Sequence, residues 1–435
     1  MASPLIASLR ALLPGKGSFA AHALTMMSGT TLAQGLMILS APVLTRLFTP
    51  ADFGVFALFV SVTSLLGTVA AGRYELAVLL PGEDGQAANV AALGALISVA
   101  VSLICLVGVV WGGDAAAALL GLPGPASWFW LVPLSVLFSG LYQVATYWCT
   151  RRRAFPGLAV SRVGQAAVDT AGKVGTGLFT SWGPLGLMGG QLAGQAAALG
   201  WLLALFCGRA AGFPWTRLAA ADMRRQGRIY WRFPAYDSWA ILANSGAYLL
   251  PPLLLSHFFD AAVVGAYFLA YRVLNWPVFF LSESLAQLFF QRYEEKRKTG
   301  GKMEFLWRMV KLLAALSLAP GLLLLLFAPA LFGLVFGAQW VTAGEYLRLM
   351  VPIIFFRLVA SPLSSVLWAE GRNSWQLAWQ ATFLAATVGS FLLGGRAGDI
   401  HQALIIYSGT ASVLYLGYIG LVVAAAKKPR MAAVV

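Results

Sequence analysis

The chain has 435 residues, of which 59% are hydrophobic and 11% charged, and its net charge is +14. A soluble domain carries about 25% charged residues, so the composition excludes one and predicts an all-α polytopic membrane protein. The basic residues fall between apolar segments rather than in one patch, which makes them a topology signal and excludes a nucleic-acid partner.

Arg10 and Lys16 precede an apolar run from Phe19 to Leu44. That run is too long for a signal-peptide core and reads as an uncleaved first helix. Residues 1–20 read as a cytoplasmic segment at the membrane surface. A bilayer core about 30 Å thick needs ~20 apolar residues per helix. By that measure the sequence predicts twelve transmembrane helices, with cores at 22–45, 54–80, 88–111, 127–149, 158–180, 185–207, 238–257, 261–289, 308–333, 346–369, 376–394 and 401–425. They divide into two six-helix bundles, 21–207 and 238–426, with a basic linker at 208–237 and a basic tail at 427–435.

Orientation follows the Lys and Arg of the loops. With the N-terminus in the cytoplasm, that side holds Arg10, Lys16, Arg73, Arg151, Arg152, Arg153, the linker arginines, the cluster from Arg292 to Arg308, Arg372 and the tail. The opposite loops hold Arg46 and Arg396. Both termini are therefore expected in the cytoplasm. The linker run Arg224–Asp237, which mixes arginine with aromatics, reads as an interfacial helix.

Two stretches carry an internal repeat. Leu44, Phe48, Gly54 and Phe56 recur as Leu255, Phe259, Gly265 and Tyr267, each displaced by 211 positions; Trp148 and Arg152 recur as Trp368 and Arg372, displaced by 220. Six spans per repeat leave the halves in the same orientation, related by a pseudo-two-fold axis along the membrane normal.

The fifth span carries Arg162, Gln165, Asp169, Lys173 and Thr176 at helical spacing, a polar stripe along one face. Arg162 and Lys173 are separated by roughly 16 Å along the axis. Such a stripe faces a water-filled cavity or a buried partner, not lipid. Asp169 and Lys173 at i, i+4 are also placed to neutralise each other. Arg272 and Glu283 in the eighth span and Arg357 in the tenth complete the intramembrane charges. Together they make four cations against two acids. Each central charge costs ~2.5–3.5 kcal/mol to insert, so the cationic excess points to an anionic ligand. Arg73, Tyr74 and Glu75 read either as an interfacial anchor or as a basic mouth for substrate. Gln34, Asn244, Asn275, Gln191 and Gln195 read as interhelical hydrogen bonds or as ligand contacts. Pro42, Pro252 and Pro277 read as bends.

Cys105, Cys149 and Cys207 all sit in apolar segments, and the three histidines stand far apart. No Walker loop, zinc spacing or nucleophile elbow occurs. The sequence thus predicts no catalytic residue, no metal and no cofactor, and a protein that is not an enzyme.

The segment LTRLFTPADFGVFAL and the following GRYELAVLLP resemble bacterial polysaccharide and O-antigen flippases, relatives of multidrug extruders and the lipid II flippase. The likeness extends more loosely over all twelve spans. The resemblance implies translocation of an undecaprenyl-diphosphate-linked oligosaccharide from the cytoplasmic to the periplasmic leaflet of the inner membrane. It implies a V-shaped pair of lobes around a cationic cavity that alternates its access, in contact with membrane lipids and alongside a glycan polymerase and assembly proteins. By position Arg272 suits the cavity best and Arg73 its inner portion, while Arg162 and Lys173 lie in a span that stands behind the first two in related folds. Arg357, Gln34 and Asn275 join the expected substrate contacts. Glu283 and Asp169 are the expected carboxylates for coupling to a proton or sodium gradient. The competing readings are an ion-coupled multidrug exporter, a membrane-embedded glycan polymerase or ligase, and a scaffold for glycan assembly.

Overall fold

A chain surrounded by lipid must satisfy its backbone polar groups internally, and a helix does so within one segment. The computed structural model describes residues 19–121, 127–208 and 211–427, with the side chains of 19–25, 27, 207, 276–288 and 373 outside that description. The expected surface segment before residue 19, the tail beyond 427 and the side chains of Pro277 and Glu283 therefore lie outside the described residues.

Among the described residues every regular element is helical. In order they are α1 (Phe19–Leu47), α2 (Pro50–Gly67), α3 (Tyr74–Ala77), α4 (Asp84–Leu119), α5 (Leu131–Arg151), α6 (Phe155–Phe179) and α7 (Pro184–Cys207). There follow α8 (Ala220–Ile229), a π-helical turn at Phe233–Asp237, α9 (Ser238–Phe258), α10 (Ala261–Thr299), α11 (Lys302–Phe336), α12 (Val341–Ala369), α13 (Asn373–Arg396) and α14 (Ile400–Lys427). Eight of these helices, namely α2, α4, α5, α9 and α11 to α14, are long and apolar enough to cross a membrane. The chain is a multi-pass membrane protein. Each of the other expected spans also falls on one long helix, α1, α6, α7 or α10. Two of these, α6 and α10, carry the intramembrane charges that lower their hydropathy.

The second span departs from expectation. Its core was placed at 54–80, but α2 ends at Gly67 and the chain turns before the four-residue α3. Gly72 and Arg73 both take left-handed backbone angles, with φ of 61° and 60°. Glycine adopts that region freely, whereas an arginine there is strained by roughly 1–3 kcal/mol. Hydropathy sees only an apolar run here and misses the break. The prolines behave differently, because α1 runs on through Pro42 and α9 through Pro251 and Pro252.

The chain falls into two compact units. One comprises Met1–Leu47, Val62–Asp114 and Pro125–Ile241; the other comprises Phe48–Ser61, Ala115–Gly124 and Leu242–Val435. In the first unit a core cluster gathers Tyr74, Ala77, Val78, Ala88, Trp148 and Phe206. Trp148 is fully buried and donates its indole N–H to Ala211 O at 2.9 Å, whereas its repeat partner Trp368 is 67% exposed. The repeat is thus kept in position and not in environment.

In the second unit the start of α2 crosses the start of α10 at very short range. A Cβ on Gly54 would lie 1.8 Å from Ala261 O, and one on Gly265 would lie 1.8 Å from Pro50 O. Both helix starts are capped. Thr49 and Asp52 bond each other's backbone N–H reciprocally, and Asp260 Oδ1 accepts from Val263 N. Phe53 packs edge-on against the fully buried Trp340, ring centroids 5.0 Å apart.

Candidate functional site

The second unit holds one assembly of the predicted residues. Arg357 on α12 donates from Nη1 to Asn275 Oδ1 on α10 at 2.7 Å. The Asn275 amide nitrogen in turn donates to Tyr271 O at 2.6 Å, one turn back. The Arg357 guanidinium also lies over the Tyr248 ring of α9, 4.6 Å from its centroid. Tyr248 continues into an aromatic wall through Phe383, Trp379, Tyr415 and Tyr418. Among the described residues the partners of Arg357 are neutral: the Asn275 amide, the Tyr271 side chain and the Tyr248 ring. A guanidinium is the side chain suited to bidentate binding of a phosphate or carboxylate. Arg272 is half-buried one turn before Asn275 on α10. The structure thus brings Arg357 and Asn275 together, with Arg272 on the same helix as Asn275. Glu283 lies on α10 as well, its side chain outside the description.

The polar stripe of α6 divides in two within the first unit. Arg162 is half-buried, and its Nη1 donates to Thr30 Oγ1 of α1. Gln34 follows Thr30 by one turn and is also half-buried. Asp169 and Lys173 are buried and paired, with Lys173 Nζ 2.8 and 2.9 Å from the two carboxylate oxygens. They face α7. A Cβ on Gly190 would lie 2.6 Å from Lys173 Cγ, and one on Gly194 would lie 2.8 Å from Asp169 Cβ. Gly190 and Gly194 have the small-xxx-small spacing that lets two membrane helices approach closely. The pair is therefore seated at a helix–helix contact, and Arg162 is separated from it. The spacing at 190–194 is the signal in the sequence from which this contact could have been read. Gln195, one of the expected interhelical groups, accepts from Ser135 Oγ of α5 at 3.1 Å.

The break after α2 carries a third assembly. Arg73 Nη1 donates to Glu75 Oε1 at 3.1 Å, and its Nε donates to Asp237 Oδ2 at 2.6 Å. Asp237 closes the π-helical turn that leads into α9. Insertions of this kind within helices recur at functional positions. Tyr74 OH donates to Gly227 O of α8 at 3.0 Å. Glu75 is 1% exposed and its Oε2 has no hydrogen-bond partner. Burial pushes its carboxyl above the usual carboxylate range; its own backbone and Arg73 pull it down, and Asp237 adds to the rise. Arg73 is thus committed to two carboxylates. Asp237 was not foreseen, because a lone Asp in an arginine-rich linker reads as a solvated charge. Asn89 was likewise unforeseen: it is buried and pins the linker to α4 through Arg217 O and Ala219 N.

A family model described as polysaccharide biosynthesis protein matches residues 43–345. The chain belongs to that family. It is 23% identical over 203 residues to the teichuronic acid biosynthesis protein TuaB of Bacillus subtilis, a match covering 46% of this chain and 42% of that protein. The chain thus spans less than half the length of the curated relative it matches. Among solved structures it resembles the lipid II flippase MurJ in an inward closed conformation, with a TM-score of 0.70 at 10% identity over 92% of this chain and 86% of that one. It also resembles a MOP-superfamily transporter from Pyrococcus furiosus, with a TM-score of 0.58 at 15% identity over 93% and 95% of the two chains. A MATE-family transporter in an outward-facing conformation gives 0.60 at 13% identity over 94% and 97%. At these identities the structures establish the fold and no activity.

Proposed function

We propose that the protein is a flippase that moves an undecaprenyl-diphosphate-linked oligosaccharide from the cytoplasmic to the periplasmic leaflet of the bacterial inner membrane. The observation that carries this reading is Arg357, a membrane-depth guanidinium whose described partners are neutral. A diphosphate is the part of a lipid-linked sugar that hydrocarbon rejects, and a fixed guanidinium compensates it in a bidentate manner. The polyprenyl tail stays in lipid while the glycan passes through the protein, and rocking of two halves alternates the access. Arg272 and Arg162 supply further positive charge on the route. Membership of a polysaccharide biosynthesis family supports the class of cargo, and the basic loops support the orientation with both termini in the cytoplasm. In this reading the twelve long helices all cross the membrane and the protein moves its substrate without changing it.

The test is an Arg357→Gln variant, compared with the parent for surface glycan in cells and for flipping of a polyprenyl-diphosphate-linked sugar in proteoliposomes. The expected result is loss of both, with normal membrane insertion, and only partial rescue by Arg357→Lys. Full activity of Arg357→Gln overturns the assignment. Export of cationic drugs by the parent, with no flipping, replaces the flippase by an exporter.

A further inference from the structure

Three carboxylates invite a role in coupling, and they are not equivalent. Asp169 accepts a hydrogen bond from Lys173 on Oδ2, has the same ammonium 2.8 Å from Oδ1, and has glycines packed around it. Glu370 is buried at the C-terminal end of α12, with Oε1 accepting from Lys302 Nζ at 2.9 Å and from Tyr293 OH at 2.8 Å. Glu75 differs from both. One of its oxygens is partnerless and buried, and the cation on the other is shared with Asp237.

We propose that Glu75 is a reversible proton-binding site, loaded from the aqueous side through the Asp237 end of its network, and that it is the coupling acid of this transporter. Three observations on geometry carry this. First, Glu75 sits in the four-residue α3, beyond the break that ends α2 at Gly67. Second, exposure rises along the network, from 1% for the Glu75 side chain through 17% for Arg73 to 42% for Asp237. Arg73 and Asp237 thus stand between Oε1 and water, and a proton reaches the carboxyl from that end when the Arg73 pair opens, since a guanidinium itself relays none. Third, Glu75 Oε2 is buried without a hydrogen-bond partner, while the guanidinium on Oε1 is divided between Glu75 and Asp237.

The chemistry balances in one step. The ionised Glu75 carboxylate takes one proton and becomes a neutral acid with one O–H donor. Among the described residues Arg73 then keeps Asp237 as its one anion, and the turn is released from one ion pair. Loss of the proton restores the pair. The groups that face Glu75 are Arg73 from the turn, Asp237 from the π-helical turn before α9, Tyr74 from α3 and Tyr147 from α5, which feels all three charges. Burial over the apolar cluster that contains Ala71, Tyr74 and Ala77 favours the neutral form. The site itself stands on its geometry; its role as coupling acid rests on the transport reading above.

The site is read directly by pH-difference infrared spectroscopy on the full-length protein in nanodiscs. The parent should show a carboxylic acid C=O band that titrates above the ordinary Glu value of about 4.3. Glu75→Gln should remove that band. Asp237→Asn should keep it and move its midpoint to lower pH, because Arg73 then serves Glu75 alone. A band unchanged in Glu75→Gln, or a midpoint unmoved in Asp237→Asn, overturns the proton site. Coupling is read separately in proteoliposomes, as the ratio of flipping rates with and without an imposed proton gradient. That ratio should fall to one in Glu75→Gln and stay above one in Asp237→Asn. An undiminished ratio in Glu75→Gln removes Glu75 from coupling. If the parent moves no lipid-linked sugar at all, the flippase reading and the coupling role fall, while the infrared titration still decides whether Glu75 binds a proton.

Discussion

Asp169 and Glu75 are both buried carboxylates of the first unit, each beside a basic residue a few positions away, yet they are built for different ends. Asp169 pairs with a lysine one helical turn on, and the two side chains pack against the glycines of α7. Glu75 shares its arginine with a second acid, keeps an oxygen without a partner and sits where the helix breaks. The lesson concerns stoichiometry. Where two acids compete for one cation, one of them has reason to take a proton. Burial alone does not distinguish the two; the count of partners does.

The largest expected effect breaks the closed site. Lys173→Met leaves Asp169 buried without its cation and should cost about 3–5 kcal/mol in unfolding free energy. The double variant Asp169→Asn with Lys173→Met should recover most of that loss, and a denaturation series in detergent on the four proteins gives the coupling. If the single and double variants are equally unstable, the pair is not closed as described. Next in size, Gly194→Ala pushes a methyl to 2.8 Å from Asp169 Cβ and from Gln165 O. Overpacking of this kind should cost about 1–3 kcal/mol, read as a fall in the melting midpoint of purified protein. Tyr74→Phe removes the hydrogen bond from the Glu75 turn to Gly227 O and should cost about 1 kcal/mol. Its more useful readout is faster hydrogen exchange in α8, which an independent α8 would not show. The smallest effect is the pH dependence of stability, because burial and the pull of Arg73 oppose each other at Glu75. Its carboxyl is raised in the folded state, so its contribution is present below the unfolded value of about 4.3 and is lost as pH rises through the folded one. Melting midpoints measured across that window should decline less steeply in Glu75→Gln than in the parent.

Hydropathy and spacing made much of this architecture legible. Apolar runs located the long helices, and the period of the α6 stripe put Asp169 and Lys173 on one face. Two things stayed hidden for physical reasons. The break after Gly67 is written in backbone angles at Gly72 and Arg73, and an arginine gives no warning that its φ is positive. The pairing of Arg73 with Asp237 spans 164 positions, and no local pattern reports a contact at that separation. The facing of Asp169 toward α7 was readable in principle, since Gly190 and Gly194 announce a close contact, but only once the charges are asked what they pack against. Arg357 was found by its charge; that it is framed by Asn275 and Tyr248 needed the fold.

The crossing at Gly54 and Gly265 has the grammar of a dimer. Gly54 approaches Ala261 while Gly265 approaches Pro50, and each contact becomes the other when 211 positions are added to one partner and removed from the other. That reciprocity, residue i on j and j on i, defines an isologous interface between identical subunits. Here both subunits are stretches of one chain. A gene that duplicates such a surface inherits its self-complementarity at once, and afterwards the two copies of each glycine must be conserved or replaced together.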